Sequence, residues 1–289
     1  MTEQQLNPCS VCGQCDAERF SMFFEGQLTL WRCKRCGYVS PGIGRGNWQP
    51  PEQLAGEGAA AFVESAKDWR YPHRRRVLQD IARRVALRTG PAGRVLDVGC
   101  GDGQFLSLAR EAGLTPVGIE GNEALAAQAS QRSGCEVYGG RDGLETLREW
   151  PEASFQAVTF IHSLEHFPNP CDVLVEARRV LRPGGLLAVD LPSIRSPHWL
   201  AWRATGITRF VDNAWGIIDE HAGYYTPATL EYLTLRAGFR TLTLTTGRWR
   251  YKYHGLAQAV ALLLDPLLNV LRVGGIFYLG EEGVRPERR

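Results

Sequence analysis

The chain is poor in several features that would have decided its class at once. Its first nine residues, Met-Thr-Glu-Gln-Gln-Leu-Asn-Pro-Cys, contain neither a basic stretch nor an apolar one. No secretory leader is therefore expected, and the protein is expected in the cytoplasm. No apolar run is long and unbroken enough to cross a membrane. The richest, 256–271, is interrupted by Gln258, Asp265, Pro266 and Asn269. It reads as a buried helix, with an interfacial helix or a subunit contact as alternatives. Net charge is only +2 over 289 residues, which argues against a dedicated polyanion binder but leaves room for local patches. There is no internal repeat and no low-complexity tract. Hydrophobic residues make up 44% and charged residues 22%, ordinary for a soluble protein, and the length suggests one large domain plus a small one, or two domains.

Cysteine is not scarce, but it is unevenly placed. Of eight cysteines, five fall between Cys9 and Cys36. Without an export signal such clustering points to metal rather than to disulfides. Cys9-x-x-Cys12 and Cys33-x-x-Cys36 form two knuckles with 20 residues between them. Four thiolates at that spacing suit tetrahedral zinc in a closed, structural site. Gly13 and Gly37 follow the knuckles, where tight turns let amides face sulfur. Cys15 makes an overlapping pair with Cys12 and is read as a spare. Phe20, Phe23, Phe24, Leu28, Leu30 and Trp31 can form a small core between the knuckles. Residues 1–45 are thus read as a zinc ribbon and 46–70 as a connector.

The most informative stretch is 94–106, Arg-Val-Leu-Asp-Val-Gly-Cys-Gly-Asp-Gly-Gln-Phe-Leu. An apolar run ending in alternating glycines reads as a buried strand entering a tight turn. Gly99, Gly101 and Gly103 let the backbone take unusual dihedrals and approach a ligand closely. Asp97 stands at the strand's mouth. A carboxylate there suits a cationic ligand and repels a phosphate. The dinucleotide fingerprint, placed on Gly99 and Gly101, requires glycine at 104 and finds Gln104. Glu120 follows 23 residues after Asp97, at the end of the next predicted strand. Its two oxygens can accept both hydroxyls of a ribose.

Strand-like and helix-like segments alternate through 71–289. Val77, Leu78, Ile81 and Val85 mark one face of a helix. Strands are predicted at 95–98, 115–119, 136–138, 157–161, 186–191, 240–245 and 276–279. Helices are predicted after the glycines, at 124–131 and 171–181, and from Pro227 with Thr226 as its cap. This rhythm gives βαβ units and a mostly parallel sheet with helices on both faces, whose ligands bind at the carboxyl ends of the strands.

The segment Asp97-Val-Gly99-Cys100-Gly101-Asp-Gly103 resembles the first motif of the class I S-adenosylmethionine-dependent methyltransferases. His162-Ser-Leu-Glu165-His166-Phe-Pro-Asn-Pro170 and Arg182-Pro-Gly-Gly185 resemble segments of a subfamily that acts largely on small molecules. The likeness runs from about 71 to about 245. It departs at Gln156, where the family often has aspartate, at a strand start far from the cofactor. Zinc ribbons of this look precede the same subfamily in many bacterial sequences. The resemblance implies a Rossmann-like α/β fold with a mostly parallel seven-stranded sheet and a small N-terminal zinc ribbon. It also implies S-adenosylmethionine held by Asp97, Gly99, Cys100, Gly101, Gly103, Glu120, Gly121, Asn122 and His162. Residues 193–223, with Trp199, Trp202, Phe210 and Trp215, are expected to form a substrate lid.

In such a reaction the protein aligns the acceptor and excludes water, and an oxygen, nitrogen or carbon acceptor can need a base. His166, His162 and His221 are the candidates, and each also has a plain reading as a hydrogen-bonded structural histidine. Arg70, Arg74, Arg75, Arg76, Arg83, Arg84 and Arg88 crowd one helix, read as a solvated face or as a contact for phosphate. The expected function is methyl transfer to a small molecule: a sugar, a quinone- or polyketide-like ring, or a lipid intermediate. Two rivals are an RNA methyltransferase using the ribbon and the arginines, and a non-catalytic cofactor-binding scaffold. Against RNA stand the near-neutral charge and the lack of an Asn-Pro-Pro-Tyr-type motif, so nucleic acid is not the expected partner. Oligomeric state is not legible.

Overall fold

The computed structural model describes residues 7–14, 16–23, 28–41, 71–196, 199–200, 204–205, 221–247, 263–264, 266–267 and 269–283. The expected connector, Cys15, Phe24, Arg70, Trp202, Phe210, Trp215 and most of the expected lid lie outside these residues. Near the N-terminus, β1 (Ala17–Phe23), β2 (Leu28–Cys33) and β3 (Val39–Ser40) form an antiparallel sheet in that order.

The large sheet has seven strands: β4 (Arg94–Val98), β5 (Thr115–Glu120), β6 (Glu136–Gly139), β7 (Phe155–Ile161), β8 (Leu181–Leu191), β9 (Phe239–Gly247) and β10 (Gly275–Glu282). Their spatial order is β6-β5-β4-β7-β8-β10-β9. The pairs from β6 to β8 are parallel, and β10 runs antiparallel to both β8 and β9. The helices are α1 (Tyr71–Thr89), α2 (Gln104–Glu111), α3 (Glu123–Ser133), α4 (Gly143–Glu149), α5 (Pro170–Val180) and α6 (Pro227–Arg236).

Strand alternation explains why helices cover both faces. Val95, Ala157, Ala188 and Phe277 pack with Leu78, Ile81 and Val85 of α1 and Leu108 of α2. Their neighbours Leu96, Val158, Leu187 and Tyr278 pack with Leu147 of α4, Leu174 of α5 and Leu233 of α6. The α/β architecture expected from the sequence is the one observed. Two details differ. Strand β8 begins at Leu181, which pairs with Phe155, and Leu186 then pairs with Ala157. The exposed residues 182–184 lie between these two pairs, within a bulge, so Pro183-Gly184-Gly185 is spanned by strand and does not separate helix from strand. The apolar stretch 256–271 is also not a buried helix where it is described. Leu263 and Val270 are each 79% exposed, and Leu264, Leu267 and Leu271 are exposed too.

The small sheet packs onto the large domain. The Tyr38 and Tyr225 rings lie 5.3 Å apart, both fully buried. Val39 pairs antiparallel with Tyr224: Tyr224 N donates to the Val39 carbonyl at 2.8 Å. Ser40 Oγ donates to the Ala222 carbonyl at 2.7 Å, and Thr229 Oγ1 to that of Cys36 at 3.2 Å. A Cβ on Gly223 would lie 1.9 Å from the Tyr38 hydroxyl, so the close approach requires glycine there.

Candidate active site and candidate metal centre

The chain leaves β4 toward β5 on one side, while β7 pairs on its other side. This reversal opens a crevice at the carboxyl ends of the strands, the place where such sheets bind ligands. A cavity of about 300 Å³ occupies it, with Asp97, Gly99, Cys100, Gly101, Glu120, His162 and His166 on its wall.

The glycine loop is held from behind. Gly99 N and Cys100 N both donate to the Ile119 carbonyl, at 2.8 and 2.9 Å, and Gly103 N donates to that of Cys100. Gly101 N donates to Glu120 Oε2 at 2.8 Å, and Asn122 N to Glu120 Oε1 at 2.9 Å. These amides are taken up inside the fold, so they form no phosphate-binding nest. The cavity is lined with acids instead. Glu120 is fixed in one plane by its two amide donors, and each oxygen keeps a second lone pair for a ligand.

Asp97 is 2% exposed and accepts a 2.6 Å hydrogen bond from Thr159 Oγ1. Burial pushes its carboxyl up to about 7, the Thr159 hydroxyl opposes this, the Glu120 charge adds to it and Arg74 lowers it. Gly99 has φ +76°, and a Cβ there would meet Ser163 Cβ at 2.5 Å. Gly103 (φ +76°) lets α2 start against α3, since a Cβ would lie 2.7 Å from Ala129 Cα. Gly103, Gly121 and Asn122 are not on the wall. Asn122 caps α3 by accepting from Leu125 N.

Two wall residues carry polar groups that sequence reasoning did not single out. Gln104, the residue that broke the dinucleotide fingerprint, is buried on the wall, and its Nε2 donor has no hydrogen-bond partner. Arg74 also reaches the cavity, whereas Arg75, Arg76, Arg83 and Arg88 are exposed. Burial lowers the Arg74 pKa, and Asp102, Asp190 and Asp97 oppose that shift. Gln156 stands away from the cavity, where its Oε1 accepts from Arg94 N at 2.7 Å.

The histidines gather beyond β7. His162 has φ +53°, a strained conformation for a side chain of its size. Its Nδ1 lies 3.7 Å from Glu165 Oε1 and its Nε2 3.7 Å from Asp190 Oδ2. Glu165 is buried. Burial alone would raise its carboxyl, but the contact with His162 and the charges of His166, His221 and His162 outweigh this and hold it at about 2. His221 is buried behind His166, with ring centroids 5.0 Å apart. Burial lowers His221 to about 4 against the opposing pull of Glu165, so its ring is neutral near pH 7. Gly223 N donates to the Glu165 carbonyl, which ties the His221 segment to the turn after β7.

At the other centre, the ligand atoms of Cys9, Cys12, Cys33 and Cys36 lie within 4.8 Å of one another. Gly13 N donates to the Cys9 carbonyl and Gly37 N to that of Cys33, with both glycines at positive φ. Two facing knuckles of four thiols match the donor set of a closed zinc site.

The sequence profile described as "Methyltransferase domain" matches residues 70–244. The ubiquinone biosynthesis O-methyltransferase of Hahella chejuensis is 39% identical over 110 residues, 37% of this chain and 45% of that protein. The 27-O-demethylrifamycin SV methyltransferase of Amycolatopsis mediterranei is 31% identical over 166 residues, 54% of this chain and 60% of that protein. The chain thus spans about half the length of these curated relatives. A SAM-dependent methyltransferase from Archaeoglobus fulgidus shares the fold at 18% identity, with a TM-score of 0.54 over 76% of this chain and 99% of that one.

Proposed function

The chain belongs to the methyltransferase-domain family, and from that premise we propose that it transfers the methyl group of S-adenosylmethionine to a hydroxyl oxygen of a small quinone- or polyketide-like molecule. Oxygen is the acceptor atom in the names of both curated relatives. The observation that carries the reading is a cavity at the sheet's reversal whose wall holds two carboxylates, while the loop amides are already bonded. Such a wall suits a cationic adenosyl ligand and not a phosphate.

When bound, the cofactor supplies an activated methyl group on a sulfonium. Asp97 faces its positive charge, and Glu120 accepts the ribose hydroxyls. Gln104 Nε2 and Arg74 offer buried donors for a carboxylate. The acceptor approaches from the His162–His166 side. His162 takes the hydroxyl proton, and Glu165 and Asp190 stabilise the resulting imidazolium. The four N-terminal thiolates hold a structural zinc, and unoxidised thiols suit a protein that works in a reducing compartment such as the cytoplasm.

Calorimetric titration with S-adenosylhomocysteine tests the cofactor half. Binding is expected. Glu120→Ala, which removes both ribose acceptors, should weaken it by about ten- to a hundredfold, as for hydrogen bonds to a charged group. No binding by the intact, zinc-loaded chain would sink the proposal. Labelled cofactor incubated with a lysate should pass its methyl to a small-molecule fraction. Label in RNA would favour the RNA rival, and no transfer the scaffold.

A further inference from the structure

We propose that Glu165, His166 and His221 form a second metal site, for a borderline divalent cation such as zinc or cobalt, facing the acceptor side of the cavity. Its use in methyl transfer rests on the function proposed above, but metal binding does not.

One ligand atom from each of the three residues lies within 4.8 Å of the others. Two imidazoles and one carboxylate are a donor set for borderline metals with open coordination positions, unlike the closed thiolate set at the N-terminus. Metal–ligand bonds of about 2.0–2.2 Å would bring these atoms closer together than they now stand. His166 is exposed, so there is space around its side chain for that movement.

An independent observation points to a ligand. Glu165 Oε2 is buried and has no hydrogen-bond partner. Its other oxygen, Oε1, faces His162 at 3.7 Å, beyond hydrogen-bond distance. A buried carboxylate oxygen without a partner has lost its solvation with nothing in return, and a cation between it and the two imidazoles makes good that loss. The halves of the site come from distant parts of the chain and are pinned together. Gly223 N donates to the Glu165 carbonyl at 3.0 Å, and β3 bonds Ala222 and Tyr224 from the other side.

His166 lies on the cavity wall, so an open position of this metal faces the acceptor. An acceptor hydroxyl on the metal loses its proton more readily. The proton passes to His162. An oxygen lone pair forms the new O–CH3 bond as the C–S bond breaks, its electron pair staying on sulfur and neutralising the sulfonium.

The test is cobalt titration of the full chain with zinc already bound at the thiolates. The expected result is a set of d–d absorption bands that saturates at one equivalent, without a thiolate-to-cobalt charge-transfer band. His166→Ala, at an exposed position, should leave the fold intact and abolish the bands. Glu165→Gln should do the same. Absence of bands at large cobalt excess, or bands unchanged in His166→Ala, would overturn the site. S-adenosylhomocysteine titration of the same samples separates the two claims. Cofactor binding without the bands sinks the metal alone, and bands without cofactor binding sink the methyl-transfer reading.

Discussion

At the scale of single residues, Asp97 carries the most distinctive chemistry. Its carboxyl sits at about 7, chiefly because it is buried, against about 3.9 in an unfolded chain. The folded protein therefore holds a proton that the unfolded chain has lost. The stability this gives is full below about pH 4 and is lost as pH rises through 7. A cationic ligand has the opposite preference, because it favours the ionised acid. Affinity for S-adenosylmethionine, which carries the sulfonium charge, should rise about tenfold between pH 6 and pH 8, following the ionised fraction of a group with pKa near 7. Titrations across that range would show it, and Asp97→Asn should flatten the profile.

Asp97, Glu120 and the glycines were legible because their message is local: a charge at a strand mouth and turns that need positive φ. Arg74 was hidden among seven arginines, since only the phase of α1 against the sheet decides which one reaches the cavity. Glu165 stood in plain view beside two histidines. Its buried, unpartnered oxygen is a product of packing by the segment 221–225, far away in sequence.

Among elements, the α2–α3 contact makes the sharpest prediction. Gly103→Ala would force a Cβ to within 2.7 Å of Ala129 Cα and 2.8 Å of its carbonyl oxygen at φ +76°. Backbone cannot yield as a flexible side chain would, so a loss of about 2–4 kcal/mol is expected from strain and overpacking together. Urea denaturation checks it. The cap of α6 is milder. Thr226 Oγ1 accepts from Thr229 N at 3.1 Å, and Thr226→Ala should cost about 1 kcal/mol by the same measurement.

The caps and most strands were readable because alternation and stop signals are written in neighbouring residues. Helix α4 was not. Its seven residues, Gly-Leu-Glu-Thr-Leu-Arg-Glu, give too short a window for an apolar period to stand out. Asp142 nonetheless caps it by accepting from Leu144 N and Glu145 N. The bulge in β8 was equally unreadable, because Pro-Gly-Gly is the ordinary mark of a break and only pairing with Phe155 and Ala157 bridges it.

Across the whole molecule, the N-terminal sheet and the histidine cluster form one mechanical unit. Removing the zinc proposed for the four thiols should loosen β3 and, through it, the segment that carries His221. Hydrogen exchange should then speed up at the Gly223 and Tyr224 amides, whose bonds run to Glu165 and Val39. S-adenosylhomocysteine affinity should change little, because among the described residues none of that sheet lines the cavity. Strand order was beyond sequence reasoning, since periodicity says which residues face inward but not which strands are neighbours.

That order also shapes the molecule's birth. Strand β10 is the last of the described strands in the chain, yet it is bonded on both sides, to β8 and to β9. During synthesis, the ribosome releases those two neighbours before the strand that joins them. Until it arrives, both present open edges on which another nascent chain can pair. A polypeptide halted at residue 270 should therefore be degraded quickly and coaggregate, although the residues of its five parallel strands are all present.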